Sequence, residues 1–455
     1  MQPGYLFAAL SGSVSDGRDF VSQAIENGAA AILTDRPMVT SVPVLTSDNP
    51  RRDLAMMAAR FFEHQPPYIA AITGTNGKTS SAAFLRQILA AAGHKAAAMG
   101  TLGVEADGFF EALDHTTPEP VRLHAALRDL VAHQVTHLVM EASSHGLAQH
   151  RLDGVRPMVV GFTNLTRDHM DYHASAAEYA AAKQRLLTEV LAENGTAIIV
   201  MTHEAGAAMA QAAQEAGRRV VAVGRETDCV HVAIAQRSAT GLGLAVTLNG
   251  QTQSLNVPLI GDFQTENLAL ALGMAQAFGL DDETLFAACR MLHAPRGRMQ
   301  FIGHTEAGAA VYVDYAHTPD ALDNALDALR AHVPQSGALA VMFGCGGDRD
   351  VGKRPQMGAV AHDKADRIYV TDDNPRHEDA AAIRAAIMAA CPTANEIADR
   401  KQAIETALDE AAKGGIVLLA GKGHEGGQIV GDTILPFDDA TIAALHMAKK
   451  GGHHA

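Results

Sequence analysis

A chain of 455 residues is too long for one ordinary core and has the length of about three domains. Its 47% hydrophobic and 19% charged residues describe a globular protein and exclude a disordered one. Thirty-six basic against fifty-one acidic residues give a net charge of −15, a poor match for a nucleic-acid backbone, so no nucleic-acid partner is expected.

The opening residues, 1–7, carry neither the basic segment nor the apolar core of a signal peptide. No run of about 20 apolar residues follows anywhere, so no membrane span and a cytoplasmic location are expected. Short β-branched apolar runs alternate with Ala-rich segments of helical period, the pattern of an α/β fold. Strands are predicted over 68–73, 137–143, 158–163, 196–201, 310–315, 338–343, 367–371 and 416–420, and helices lie between them, as over 267–278 and 380–390. Alternation across Asn249-Gly250, within 244–257, predicts a hairpin with a tight primed turn. Pro and Gly interrupt the periodicity at 65–67 and 294–297, which sets domains over 1–66, 67–297 and 298–455. Cys229, Cys289, Cys345 and Cys391 are far apart and form no CxxC pair, against a disulfide framework or a cysteine zinc site.

The strongest local signal is the strand 69–73 followed by Gly74-Thr75-Asn76-Gly77-Lys78-Thr79-Ser80 and an apolar helix. A strand, a Gly-rich turn and a helix N-terminus make an anion cradle, in which backbone amides and the helix dipole face phosphate. Lys78 can reach the outer phosphates and the Thr79 hydroxyl can bind magnesium. The front of the loop is shorter than the usual spacing, with Ile72 where the first Gly would stand.

From TGTNGKTS (73–80) onward the chain resembles the Mur ligases. TTPE (116–119), EASSHGL (141–147), NLTRDHMDYH (164–173), GRMQ (297–300), DYAHTPDAL (314–322), GCGGDRDVGKRP (344–355), DNPR (373–376) and GKGHE (421–425) follow in the family's order. The resemblance implies a small N-terminal α/β UDP-binding domain, a central P-loop-type ATPase domain and a C-terminal Rossmann-like α/β domain. It implies an ATP-dependent amide ligase of peptidoglycan synthesis: the γ-phosphoryl of ATP converts a substrate carboxylate to an acyl phosphate, which an amine then attacks. Crowding two anions calls for Mg²⁺ and fixed cations, so catalysis is expected to be positioning and electrostatics.

On that resemblance, Lys78, Glu141, His169, Lys183 and Arg298 are the catalytic candidates. Glu141 ends an apolar strand at the carboxyl edge where α/β ligands gather, and a carboxylate there suits magnesium. His169, in a loop, would by itself read as structural; the resemblance makes it a second metal ligand. Ser175 to Glu178 reads as a capping box, and on the helix it opens Tyr179, Lys183, Leu186, Leu187 and Val190 share one face. A Lys in such a stripe ordinarily snorkels to solvent. The resemblance instead aligns Lys183 with a carbamylated lysine that ligates magnesium. The metal set is thus Thr79, Glu141, His169 and Lys183. Asn267, Asp314 and His317 match positions near the nucleotide base and ribose.

Thr116, Thr117, Ser143, Gln149 and Arg151 match positions that hold the UDP-MurNAc-dipeptide, while His115 stands where the family commonly has Asn. PGYLFAALSG and DGRDF (3–20) resemble the uridine-binding region without its preceding Asp-Ser-Arg segment, so an N-terminally shortened first domain is expected. Arg349, Asp373, Asn374, Pro375, Arg376, Gly421 and Glu425 match the amino-acid site. Pro375 stiffens its loop, and the planar fork of Arg376 suits the distal carboxylate of meso-diaminopimelate, which lysine lacks. A monomer is expected. The competing readings are a sister ligase or folylpolyglutamate synthetase, a P-loop ATPase that ligates nothing, and a nucleotide-binding scaffold.

Overall fold

The computed structural model describes residues 2–12, 15–166 and 172–454. It contains two compact units, Met1–Val223 with Leu270–Leu280, and Gly224–Ala269 with Asp281–Ala455. Among the described residues no helix is long and apolar enough to cross a membrane.

The first unit begins with three short parallel strands, β1 (Leu6–Ala8), β2 (Ala31–Thr34) and β3 (Val44–Thr46), around the buried Ile32. Asn49 then caps the helix Pro50–Phe62 by accepting from the Arg52 amide, with proline at the first turn where no N–H is missed. The larger sheet contains β4 (Tyr68–Thr73), β5 (Ala96–Gly100), β6 (Gly103–Ala106), β7 (Phe109–Glu111), β8 (His137–Glu141), β9 (Val159–Phe162), β10 (Thr196–Val200) and β11 (Arg219–Val223). Its order is β11-β10-β9-β4-β8-β5-β6-β7, parallel except at β6 and β7. β4 is buried along all but its first residue, which explains why it reads as a continuous apolar run instead of an alternating one. The helix Lys78–Ala91 covers β5 and β8 with Phe84, Leu85, Ile88 and Leu89 fully buried, each worth about 1.5–3 kcal/mol in transfer from water.

β4 is central, flanked by β8 and β9, and the segments leaving β4, β5, β8 and β9 share one carboxyl edge. That is the edge where open α/β sheets bind ligands. The expected strand 137–143 stops at Glu141, because the Ser143 side chain turns the chain by accepting from the Gly146 amide and capping the helix Ser144–Ala148.

The second unit opens with an antiparallel meander, β12 (Val230–Ser238), β13 (Gly241–Leu248) and β14 (Gln251–Val257). Asn249 and Gly250 have φ of 46° and 85°, the primed turn their sequence predicts. The helix Gln264–Ala277 begins three residues before the predicted start, in turns bonded to Gly261 and Asp262 that apolar spacing does not mark. A seven-stranded sheet follows: β15 (Gln300–His304), β16 (Ala310–Asp314), β17 (Leu339–Phe343), β18 (Arg367–Val370), β19 (Asn395–Glu396), β20 (Ile416–Ala420) and, after the small hairpin of β21 (Gly427–Val430) and β22 (Thr433–Pro436), β23 (His453–His454). Its order is β19-β18-β17-β20-β16-β15-β23, with β16 to β20 mutually parallel and β15 and β23 antiparallel at the edge. Helices cover both faces of its apolar core.

Candidate active site

The phosphate loop is held from behind by the segment after β9. Thr75 N donates to Asn164 O at 2.9 Å, Asn76 N to Asn164 Oδ1 at 3.0 Å, and the Thr163 hydroxyl to Asn76 O at 2.7 Å. Gly74 is required by that approach: a Cβ there would lie 1.8 Å from Thr163 Oγ1. Gly77, at φ 83°, is the N-cap of the helix Lys78–Ala91, and the positive end of a helix favours an anion. The Lys78 amine folds over the loop and donates to Gly74 O and Thr75 O at 2.9 and 2.7 Å.

Glu141, only 3% exposed at the end of β8, receives the Thr79 hydroxyl at 3.0 Å from each carboxylate oxygen. Thr101, just past β5, adds its amide at 2.9 Å and its hydroxyl at 3.2 Å. All of these donors are neutral, and among the described residues no Lys, Arg or His forms an ion pair with Glu141. A buried carboxylate without a cation, beside a hydroxyl, is an oxygen-donor set that fits magnesium.

The candidate substrate residues continue from the same carboxylate. Thr101 Oγ1 is 3.1 Å from Thr116 Oγ1. The buried Thr117 hydroxyl donates to Glu141 O and accepts from Ser143 N, both at 3.0 Å. Arg151, with its guanidinium largely desolvated and its pKa lowered by that burial, donates to Thr117 O at 2.7 Å and to Gln149 Oε1 at 2.8 and 3.1 Å, and pairs with Glu119. Gln149 in turn donates to the Tyr172 hydroxyl. Thr101, Thr163 and Asn164 were missed as site residues. For the last two the signal was present, in their position after a central strand; Thr101 has no motif of its own.

Lys183 corrects the expectation drawn from its stripe alone. Ser175 caps the helix Ala176–Arg185 by accepting from Glu178 N, while the Glu178 carboxylate reaches back to Ala174 N, one residue earlier than a capping box places it. Lys183 is 1% exposed and does not snorkel. Its amine lies over the Tyr179 ring and donates to Gly74 O at 2.6 Å, so two lysine amines converge on one loop carbonyl. His169 lies outside the described residues.

Within the first unit, then, Gly74 to Ser80, Thr116, Thr117, Glu141, Ser143, Gln149, Arg151 and Lys183 occupy one sheet edge. Separately, Phe7, Ala8, Leu10, Ser15, Phe20 and Gln23 line a cavity of about 530 Å³ beside the first three strands.

In the second unit two groups form at the carboxyl edge of the seven-stranded sheet. Asp314, ending β16, accepts from Met299 N at 2.7 Å and Ala316 N at 2.8 Å; burial pushes its carboxyl up. Arg298 lies over the Tyr315 ring, which also contacts His317 and His424. The Arg298 Nε is buried without a hydrogen-bond partner among the described residues, and burial holds the His424 imidazole at about 4. Asn267 is buried on its helix and donates to Gln264.

The other group surrounds residues 373–376. The β21–β22 hairpin pairs with this loop: Arg376 N donates to Ile429 O, Gly431 N to Arg376 O, and Gln428 Nε2 to Asp373 O. Pro375 is buried and Arg376 takes φ 53°. The Arg376 guanidinium donates only to the carbonyls of Gly347 and Asn374, at 2.8 and 3.4 Å, and among the described residues no carboxylate pairs with it. Asn374 Nδ2 donates to Glu425 at 2.9 Å. Asp373 lies 3.0 Å from where a Gly421 side chain would begin. Arg349 is exposed and donates to Asp348 O. Sequence reasoning missed Lys422, inside the GKGHE motif, and Arg400, both buried behind this loop; a Lys or Arg in a local pattern carries no sign of burial.

An open parallel sheet with a phosphate cradle, a buried carboxylate among neutral donors and, in a second α/β sheet, a guanidinium bonded only to carbonyls among the described residues fits the class of ATP-dependent acyl-activating ligases. Residues 72–275 match the Mur ligase middle domain, 297–423 the Mur ligase glutamate ligase domain and 1–73 the Mur ligase family catalytic domain. The chain belongs to the Mur ligase family. A UDP-N-acetylmuramoyl-L-alanyl-D-glutamate--2,6-diaminopimelate ligase of Bradyrhizobium diazoefficiens is 46% identical over 455 residues, covering 99% of this chain and 93% of that one. A solved structure of a ligase with the same name is 32% identical, with a TM-score of 0.73 over 99% and 93% of the two chains. The ADP complex of a Thermotoga maritima MurF ligase, 16% identical, shares the fold at a TM-score of 0.61 over 99% and 94% of the chains.

Proposed function

We propose that this chain adds meso-diaminopimelate to UDP-MurNAc-L-Ala-D-Glu in peptidoglycan synthesis, by the following division of labour. It is an ATP-dependent, ADP-forming amide ligase with a UDP-binding domain over 1–66, an ATP-binding domain over 67–297 and an amino-acid-binding domain over 298–455. The cavity beside the first three strands takes the uridine end of the substrate. Gly74 to Ser80 cradle the phosphates through backbone amides and the helix dipole, and Lys78 leaves its loop carbonyls to meet the outer phosphate. Asn267, Asp314 and His317 serve the base and ribose, and Arg298 the γ-phosphate.

Thr116, Thr117, Ser143, Gln149 and Arg151 hold the muramoyl dipeptide, with Arg151 facing a carboxylate. Thr79 and Glu141, with His169 and a carbamylated Lys183, hold Mg²⁺, which when bound offsets the charge of the two oxyanions brought together. The burial of Lys183, 1% exposed with its amine against Gly74 O, supports the carbamate, since desolvation disfavours a charged ammonium. The carboxylate becomes an acyl phosphate, the amine attacks it, and phosphate leaves. Positioning does most of this work.

The observation that carries the choice of amino acid is Arg376. A half-buried guanidinium bonded only to carbonyls, beside Asn374 and Glu425, is suited to a second carboxylate and ammonium on the incoming amino acid. Asp373, Pro375, Gly421 and Arg349 complete that pocket. The enzyme acts in the cytoplasm as a monomer. Purified chain given UDP-MurNAc-dipeptide, ATP and Mg²⁺ should release ADP coupled to new amide with meso-diaminopimelate, and far more slowly with L-lysine. ADP release without either acceptor would instead indicate a simple ATPase, and a preference for lysine would remove Arg376 from its role.

A further inference from the structure

The amino-acid loop is organised around a buried lysine. Lys422, two residues beyond β20, has no exposed surface. Its Nζ donates to Asn374 Oδ1 and to Gly427 O, both at 2.8 Å, and lies 3.6 Å from the Glu425 carboxylate and 4.0 Å from that of Asp373. The Ile429 amide donates to the same Asn374 oxygen at 3.0 Å. An ammonium and a backbone N–H can only donate. The Asn374 oxygen must therefore face them, which leaves its nitrogen to donate to Glu425 at 2.9 Å.

Asp373 and Glu425 are negative, and Lys422 and Arg376 are positive. Arg400, 3.8 Å from Asp373, is already matched by Asp439 at 2.6 Å. The four pocket groups sum to zero. A neutral pocket with both signs displayed suits the zwitterionic distal end of meso-diaminopimelate, one ammonium and one carboxylate. Without Lys422 the same pocket is negative and suits the bare ammonium of lysine. Burial pushes the Lys422 amine below its usual range, and the Asp373 and Glu425 carboxylates oppose that shift.

We propose that Lys422 sets the amino-acid selectivity of the site by balancing one of its two carboxylates and fixing the Asn374 amide toward Glu425. It is a positioning residue, touching neither the reacting carboxylate nor the phosphate. The proposal rests on the reading of Arg376, Asn374 and Glu425 as amino-acid ligands.

The test compares kcat/KM for meso-diaminopimelate and L-lysine in the full chain and in Lys422→Met, Lys422→Gln and Arg376→Ala, with thermal melts of each. Lys422→Met should lower the diaminopimelate-to-lysine ratio by about tenfold or more, through the KM of the amino acid, with the KM values for ATP and the UDP-dipeptide unchanged. Lys422→Gln keeps a donor for Asn374 but no charge, and should lose the same selectivity. If Lys422→Gln keeps wild-type selectivity, the charge argument is overturned. If all three KM values rise together and the melt falls, Lys422 is merely structural and the proposal fails. If Arg376→Ala raises the diaminopimelate KM while both Lys422 variants behave as wild type, the pocket reading stands and the Lys422 proposal alone falls. If Arg376→Ala also changes nothing, the pocket lies elsewhere and both fall.

Discussion

The two sheet edges hold their acids in opposite ways. Glu141 is buried among hydroxyls and an amide, and among the described residues no cation pairs with it. Asp373 and Glu425, by contrast, stand against Lys422, and the Arg400–Asp439 pair behind them is wholly buried. A carboxylate surrounded by neutral donors is costly unless something positive arrives; a pocket that is already balanced waits for a ligand that is itself balanced. On the proposed function, the first edge serves a metal and phosphate and the second an amino acid.

Removing the charge at the first edge should have the largest effect. Glu141→Gln keeps the volume and the hydrogen bonds but loses the anion, and kcat should fall about 10³-fold, of the order seen when one transition-state electrostatic group is lost. Initial rates against Mg²⁺ concentration would check it; a rate within tenfold of wild type would show that Glu141 carries no metal.

The second edge should respond first in stability. Asp439→Ala leaves Arg400 charged and buried, which costs about 3–5 kcal/mol, and urea unfolding would measure it. A loss below 1 kcal/mol would mean that water reaches Arg400. Arg376→Ala should raise the diaminopimelate KM about tenfold or more, the cost of a lost charge-assisted pair being about 1.5–3 kcal/mol. The KM for ATP should stay where it is.

The smallest effect concerns pH. His377, exposed beside the loop, bridges Asp348 and Asp432 at 3.2 and 3.1 Å, and hydrogen bonds to those two carboxylates raise its pKa above the ordinary histidine value. A raised folded pKa means that the bridge is complete below about pH 6.5 and is lost as pH climbs through the higher folded value. The diaminopimelate KM should drift upward over that window, and His377→Gln should flatten the drift. An identical pH profile in the variant would assign the drift to another group.

Much of this protein was legible before any coordinates. The strand at 68–73 and the glycine turn after it were readable because a buried parallel strand is a continuous apolar run and a phosphate loop needs its Gly and Lys at fixed spacing. The edge carboxylate Glu141 was readable as a polar residue ending an apolar strand, and the Arg376 loop through the DNPR motif of the family resemblance. Lys183 shows the limit. Its stripe alone pointed the amine to solvent and only the family resemblance turned it inward, because spacing along a helix says which residues share a stripe and not whether the stripe ends in water or under another loop.

The sequence by itself determined the alternation of strands and helices, the family resemblance and the residue types at each strand end, all of which depend on local pattern. Only the tertiary structure decided which charges are paired. That Glu141 has neutral partners, that Lys183 turns inward to Gly74 O and that Lys422 stands behind Asn374 are all facts of long-range contact. Burial and electrostatics depend on what folds against a side chain, and residues far apart along the chain supply it.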